Sequence, residues 1–285
     1  MTLLQSKSKT LLYKIASSCK ERAQETLAMS TRQFLQMKRR PSSFMIGIIQ
    51  PLIWLVLFSA LFNNTPRGFM PQNMDYGNFI AAGLIVFTAF SGALNAGLPV
   101  MFDREFGFLN RILVAPLRSR SSVVLASVAH IGVISLLQSS VIMVAAALLG
   151  YGWPSGFGVI TVITTLSILT LGVTTISLGL AFSLPGHIEL LAMTFVINLP
   201  LLFSSTALAP MQFMPAYLKW LASLNPLTYA IEPIRAAYLG PVSLKTVVLH
   251  APYGEVTAGT CIWILTTLTV ASLFLVRPLL NRKLN

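Results

Sequence analysis

The chain has 285 residues, 55% hydrophobic and only 10% charged, with a mean hydropathy of +0.75. An ordinary soluble domain carries roughly 25% charged residues. A soluble surface could not cover so much apolar side chain, so the composition excludes a soluble globular fold and points to an all-α, polytopic membrane protein. The net charge of +12 does not make nucleic acid the natural partner, because the basic residues flank apolar runs, where they orient spans and meet anionic lipid headgroups.

Residues 1–43 are polar and basic, with nine Lys and Arg against Glu21 and Glu25. Ser17 to Met37 has helical spacing, with Ala28, Met29, Phe34, Leu35 and Met37 loosely on one side. This predicts an amphipathic helix on the cytoplasmic surface, ending at Arg39-Arg40-Pro41; the alternative is a disordered basic tail. No short apolar core with a cleavage site precedes it, so the first span is expected to act as its own insertion signal. The membrane region then runs over residues 44–276. Span 1 covers 44–62, with Pro51 near its start, and span 2 covers 79–101. Ala89, Ala93 and Gly97 in span 2 are spaced by four, a small-residue stripe that lets another helix come close.

A charged island over 102–120 follows, holding Asp103, Arg104, Glu105, Arg111, Arg118 and Arg120. Phe102, Phe106, Leu109 and Leu113 recur at i, i+4, i+7 and i+11, one face of a short amphipathic helix that Pro116 ends. The pattern alone suits a helix pushed by another protein and one that merely anchors a loop equally well.

Span 3 (122–149) and span 4 (159–184) are joined by a Gly- and Pro-rich hairpin turn, with Tyr151 and Trp153 at interface depth. Ser167, Thr170, Thr174 and Ser177 form one polar stripe on span 4, and Thr165, Gly172 and Gly179 a small-residue stripe on another side. Both suit helix packing, and the polar stripe also suits the lining of a pathway. After the turn Pro185-Gly186-His187 comes span 5 (188–208).

The segment 209–240 is apolar enough to enter a membrane but holds Pro210, Pro215, Pro226 and Pro233. Proline in a helix interior costs about 3 kcal/mol, so no single crossing helix would tolerate four. A re-entrant helical hairpin fits: one short helix goes in, Asn225-Pro226 turns, and a second returns to Gly240. Trp220 and Tyr229 would hold it at the outer interface, and Glu232 and Arg235, three apart, would pair. Residues 241–256 read as polar loop, span 6 covers 257–276, and 277–285 forms a basic tail.

Lys and Arg number sixteen on the side of both termini, against four on the other, which places the termini and the 102–120 loop in the cytoplasm. No GxxxxGK[ST] phosphate loop occurs, so ATP hydrolysis by that chemistry would lie in another polypeptide. Cys19 and Cys261 stand alone, and neither a metal-ligand grouping nor a catalytic Ser/His/Asp set is present. His130, inside span 3, reads as a neutral side chain hydrogen-bonded to a neighbouring helix.

The order Arg104-Glu105-x-Gly107-x-x-x-Arg111-x-Leu113-x-x-Pro116 resembles the coupling-helix signature of the type-2 ATP-binding-cassette (ABC) transporter permeases. Asn110 departs from it, since the family usually carries an acidic residue near that position. A second region is similar to the family's C-terminal signature: Asn198-Leu-Pro200 to Pro210, Pro215-x-x-Leu218-x-Trp220, Asn225-Pro226-Leu-Thr-Tyr229 and Arg235-x-x-x-Leu239-Gly240. With the six-span layout the resemblance covers residues 30–280.

It implies the membrane subunit of a drug, lipid or polysaccharide exporter in the inner or cell membrane, working as a homodimer or heterodimer. Two cytoplasmic ABC ATPase subunits would carry ATP and Mg, this chain binding no cofactor itself. Glu105 and Arg111 would contact the ATPase, and Gly107 would allow close backbone approach. The broken segment 209–240 is itself expected to form an outer gate above the dimer pathway, a static lid being the alternative. An ion-coupled carrier would be expected to hold carboxylates within its spans, which this chain lacks. A non-transporting assembly or anchoring protein remains the other reading.

Overall fold

The computed structural model describes residues 24, 26–35, 37–39, 41–63, 74–107 and 121–284. The N-terminal residues 1–23 and most of the charged island, 108–120, fall outside it, so Arg111, Leu113 and Pro116 lie outside the described residues, as does Cys19.

Residues 26–35 and 37–39 are helical (α1). Then come α2 (Pro41–Leu61), α3 (Tyr76–Leu94), α4 (Gly97–Glu105), α5 (Ser121–Leu148), α6 (Gly156–Ser183) and α7 (His187–Phe203). The short helices α8 (Ala216–Leu224) and α9 (Pro226–Leu239), strands β1 (Val247–Ala251) and β2 (Gly254–Thr257), and α10 (Ala258–Leu284) complete the chain. Among the described residues, five stretches are long and apolar enough to cross a membrane: 44–61, 76–105, 126–148, 156–183 and 258–279. The expected fifth span is shorter than its sequence reading, because α7 has 17 residues and stops at Phe203. At 1.5 Å per residue it extends about 26 Å, against about 30 Å for a hydrocarbon core.

The central helix is α3, apolar on every side and buried along nearly its whole length. Helices α2, α5, α6 and α9 surround it, as expected of a helix with no polar face. The small-residue stripes do what their spacing predicts. Gly172 and Gly179 of α6 face Thr269 and Val276 of α10, where an added Cβ would come within 2.6 and 2.8 Å. That close approach lets Thr269 and Ser272 donate their hydroxyls to the carbonyls of Ile168 and Gly172, at 3.0 and 3.3 Å.

Span 2 is broken at Asn95–Ala96, four residues before Pro99, which has no N–H to give the Asn95 carbonyl. The Asn95 side-chain amide donates to the Ser91 carbonyl at 2.8 Å, sharing that acceptor with the Asn95 backbone N–H at 3.1 Å. Ser177 of α6 bridges the gap: its hydroxyl donates to the Leu94 carbonyl at 2.5 Å and accepts the Gly97 N–H at 2.9 Å. Backbone groups freed at membrane depth need such a substitute partner. Gly97 makes room for it, since a Cβ there would lie 2.5 Å from the Ser177 carbonyl oxygen.

The polar loop expected over 241–256 is instead, in part, an antiparallel hairpin of β1 and β2. Leu249 and Val256 face inward while His250 and Glu255 stay exposed. The strands have five and four residues, so the period-2 signal is short and mixed with charge, which is why it read as loop.

Candidate functional site

Two clusters carry the residues singled out by sequence. The first is the end of α4. Phe102 and Phe106 stack on one face, ring centroids 6.0 Å apart, as their i, i+4 spacing predicts, but the helix expected to run on to Pro116 ends instead at Glu105, before Gly107. Gly107 ends the helix with φ +71°, in the left-handed region that disfavours side chains, and among the described residues nothing lies within 4 Å of a Cβ placed there. Among the described residues, then, the requirement for glycine is conformational rather than steric. Asp103 receives Arg32 of α1 at 3.5 Å, and Gln33 donates to Ser127 of α5 at 3.0 Å, so α1 lies across the ends of α4 and α5. Its packed side differs from the expected one, because Ala28 and Leu35 point outward.

Arg104 and Glu105 turn back onto their own chain. The Arg104 guanidinium donates to the carbonyls of Ala181 (2.8 Å), Leu184 (2.5 Å) and Pro185 (2.8 Å). Glu105 accepts the backbone N–H of His187 at 2.6 Å and meets its Nδ1 at 2.5 Å. These partners lie 77 to 82 residues away, and no local pattern signals them.

The second cluster joins α7, α8 and α9. Pro210 and Pro215 sit just before a single 3-10 turn and α8 respectively, outside helix interiors. Asn225 caps α9, its side-chain oxygen accepting the Leu227 N–H at 2.9 Å, and Pro226 takes the first helical position, where its missing N–H costs nothing. The Asn225 amide donates to the Leu201 carbonyl at 2.6 Å and to the Ser204 hydroxyl at 3.0 Å, fastening the junction to the end of α7.

Glu232 and Arg235 pair at 2.5 Å as their spacing predicts, and both are buried. Arg235 also donates to the Thr206 carbonyl at 2.6 Å. Trp220 is exposed, but Tyr229 is buried: its hydroxyl donates to the Ser223 carbonyl and meets the hydroxyl of Tyr253, on the turn of the β hairpin. The expected interfacial anchor is therefore an internal tie. Gly240 follows α9 in extended backbone.

On the polar stripe of α6, Thr170, Thr174 and Ser177 are buried within this chain and Ser167 is half-buried. Thr170 donates to the Ser167 carbonyl at 3.1 Å, while Ser177 serves the α3–α4 break. His130 rests edge-on against Phe34, ring centroids 4.6 Å apart, and among the described residues its Nδ1 has no hydrogen-bond partner, so the expected bond to a neighbouring helix is not made there. Among the described residues no group of His, Cys, Asp and Glu is placed to hold a metal ion.

A bundle of membrane-length apolar helices packed around the buried α3 defines a polytopic membrane protein. Residues 24–239 match the model of the ABC-2 type transporter family, and the chain belongs to that family. It is 48% identical over 263 residues to the transport permease named ycf38 of Porphyra purpurea, covering 92% of this chain and 90% of the relative. The protein of the same name from Cyanophora paradoxa is 51% identical over 215 residues, 75% and 74% of the two chains. More distantly, the chain is 23% identical over 245 residues to a Mycobacterium tuberculosis protein named as the doxorubicin resistance ABC transporter permease DrrC, with 84% of each covered.

Proposed function

We propose that this chain is the permease of an ATP-driven exporter, energised by a separate ABC ATPase that docks on the 102–120 stretch. The observation that carries the reading is the end of α4. Its exposed Phe102–Phe106 face and the Gly107 turn offer a docking edge, while Arg104 and Glu105 fasten that edge to the rest of the bundle. The chain has no phosphate-binding loop of its own, so ATP and Mg belong to the partner, two copies of which serve a dimer of permeases. Exposed apolar faces on α2 and α7 are available to the second permease, a like or a related chain. The excess of Lys and Arg near the termini and coupling stretch supports their cytoplasmic location in the cell or inner membrane.

The substrate class this reading favours is a drug, lipid or polysaccharide-type molecule, and the name of the more distant relative speaks for the drug alone. Helices α8 and α9, of 9 and 14 residues, are too short to cross and turn at Asn225–Pro226; they form a re-entrant outer gate above the path. The experiment is co-expression with the ABC ATPase encoded nearest in the genome, followed by purification through a tag on the permease. Co-purification with ATP hydrolysis raised over the ATPase alone supports the reading. An ATPase that neither co-purifies nor responds sinks it.

A further inference from the structure

Arg104 and Glu105 are neighbours in sequence, yet they hold opposite ends of two different helices. The carbonyls of Ala181, Leu184 and Pro185 lie at the C-terminus of α6, where the last carbonyls lack helical partners and the helix dipole is negative. Arg104 brings its cation there. His187 opens α7, where the N–H groups are unpaired and the dipole is positive. Glu105 brings its carboxylate there. Each charge thus meets the helix end it stabilises, and charge-assisted bonds of this kind are stronger than neutral ones. Gly186 leaves the space: a Cβ on it would lie 2.9 Å from Glu105 Oε1 and 2.8 Å from Glu189 Oε2.

A second observation lies beneath the clamp. Met101 of α4, Ala181 of α6 and Leu190 of α7 form a small buried apolar cluster, separate from the main core, with Leu98, Leu180 and Leu184 packed against it. Beyond this cluster α7 shows lipid-facing or partner-facing apolar residues, including Ile188, Leu191, Phe195 and Val196. Among the described residues its other polar ties to the bundle are Ser91 to Asn198 at 3.1 Å and the Asn225 bonds at its far end.

We infer that the Arg104–Glu105 clamp and the apolar cluster beneath it make the end of α4 and the start of α7 one rigid unit, so that a push on the coupling stretch is delivered to α7. Arg104 and Glu105 are then positioning residues that act on α7, and the ATPase is met by other residues of the stretch. This deepens the exporter reading and rests on it.

The test uses the full chain in nanodiscs with its co-expressed ATPase, Cys19 and Cys261 replaced by Ser. Spin labels on Pro99→Cys in α4 and Ile188→Cys in α7 report the unit; labels on Met45→Cys in α2 and Ile188→Cys report its motion. With the clamp intact, the α4–α7 distance is narrow and does not change when ATP is trapped with vanadate. In Arg104→Gln/Glu105→Gln the resting distribution becomes about twofold wider while the ATPase still co-purifies. Glu105→Gln alone, which keeps the side-chain shape, gives the same reading should the pair fail to insert, and Arg104→Lys restores part of the narrowing.

An unwidened distribution in the variants, or an α4–α7 distance that shifts by several ångströms on trapping in the intact chain, overturns the clamp. Loss of ATPase co-purification in Glu105→Gln also overturns it, because Glu105 would then face the ATPase, and leaves the exporter reading standing. An α2–α7 distance indifferent to trapped ATP sinks the exporter reading instead, while the resting-state widths still decide the clamp.

Discussion

Arg235 stands over the ring of Phe79, its guanidinium carbon 3.7 Å from the ring centroid. The contact ties α9 to the start of α3, the most buried helix of the bundle. It also explains how a charge can be kept at this depth, for the same guanidinium is paired with Glu232 and bonded to the Thr206 carbonyl. Stacking, pairing and a backbone acceptor together offset the desolvation of a buried ion.

Removing one partner of this pair should therefore be costly. Arg235→Ala strands the buried Glu232 carboxylate and is expected to destabilise the chain by about 3–5 kcal/mol. Arg235→Lys keeps the charge but loses the planar fork and the stacking, so it should recover only part of the loss. Replacing both, as Glu232→Gln with Arg235→Met, should be milder than Arg235→Ala alone. Thermal unfolding in detergent reads all three, and a double variant less stable than Arg235→Ala would contradict the account.

The bridge at the α3–α4 break makes a sharper contrast within one polar stripe. Ser177→Ala leaves the Leu94 carbonyl and the Gly97 N–H without their partner, for an expected loss of about 1–3 kcal/mol. Ser167→Ala, on the same stripe but half-buried, should change stability by less than about 0.5 kcal/mol. Equal effects at the two positions would mean that the break is not held by Ser177.

Close packing of α6 on α10 should show as a compensating pair. Gly179→Ala drives a methyl group into the branched side chain of Val276 and is expected to cost about 1–3 kcal/mol. Val276→Ala leaves a small void on its own but should relieve that clash. The combination should thus be more stable than the sum of the two single losses, and strict additivity in unfolding measurements would count against the contact.

Much of this architecture is legible in the sequence because its signals are local. Apolar runs give the long helices, spacing by seven places Gly172 and Gly179 on one face, and spacing by three pairs Glu232 with Arg235. Asn225-Pro226 marks the α8–α9 turn for the same reason, since a cap and a first-turn proline act on their own backbone. What stays hidden is long-range polar chemistry. Arg104 and Glu105 read as charges open to a partner, yet their bonds reach the α6–α7 turn, across a separation no periodicity encodes. Tyr229 reads as an interfacial aromatic, and only the approach of the β hairpin buries it. The break at Asn95 has a local marker in Pro99, but Ser177, which bridges it, arrives from another helix that no local pattern shows.

The last prediction concerns the outer segment. Its two short helices turn at Asn225–Pro226 and are fastened at that junction to Leu201 and Ser204 at the end of α7. A re-entrant pair keeps both ends of 209–240 on one side of the membrane, whereas a crossing would separate them. Ser223 and Ala237 mark the two helices, but each is only 1% exposed, so cysteines there would be shielded by the protein itself. Leu224 and Leu239 are better reporters, at 75% and 44% exposed, one beside the turn and one at the end of α9. In a chain lacking Cys19 and Cys261, a membrane-impermeant thiol reagent should label Leu239→Cys from outside intact cells, together with Leu244→Cys just beyond it. Leu224→Cys, at the inner end of the pair, should label more slowly from the same side. Trapping ATP on the partner should change the Leu224→Cys rate and leave Leu244→Cys as it was. Labelling of Leu239→Cys only after the cell is opened would rule out the re-entrant arrangement. A Leu224→Cys rate indifferent to ATP would leave a static lid, because a gate on the path must move with the motor that drives it.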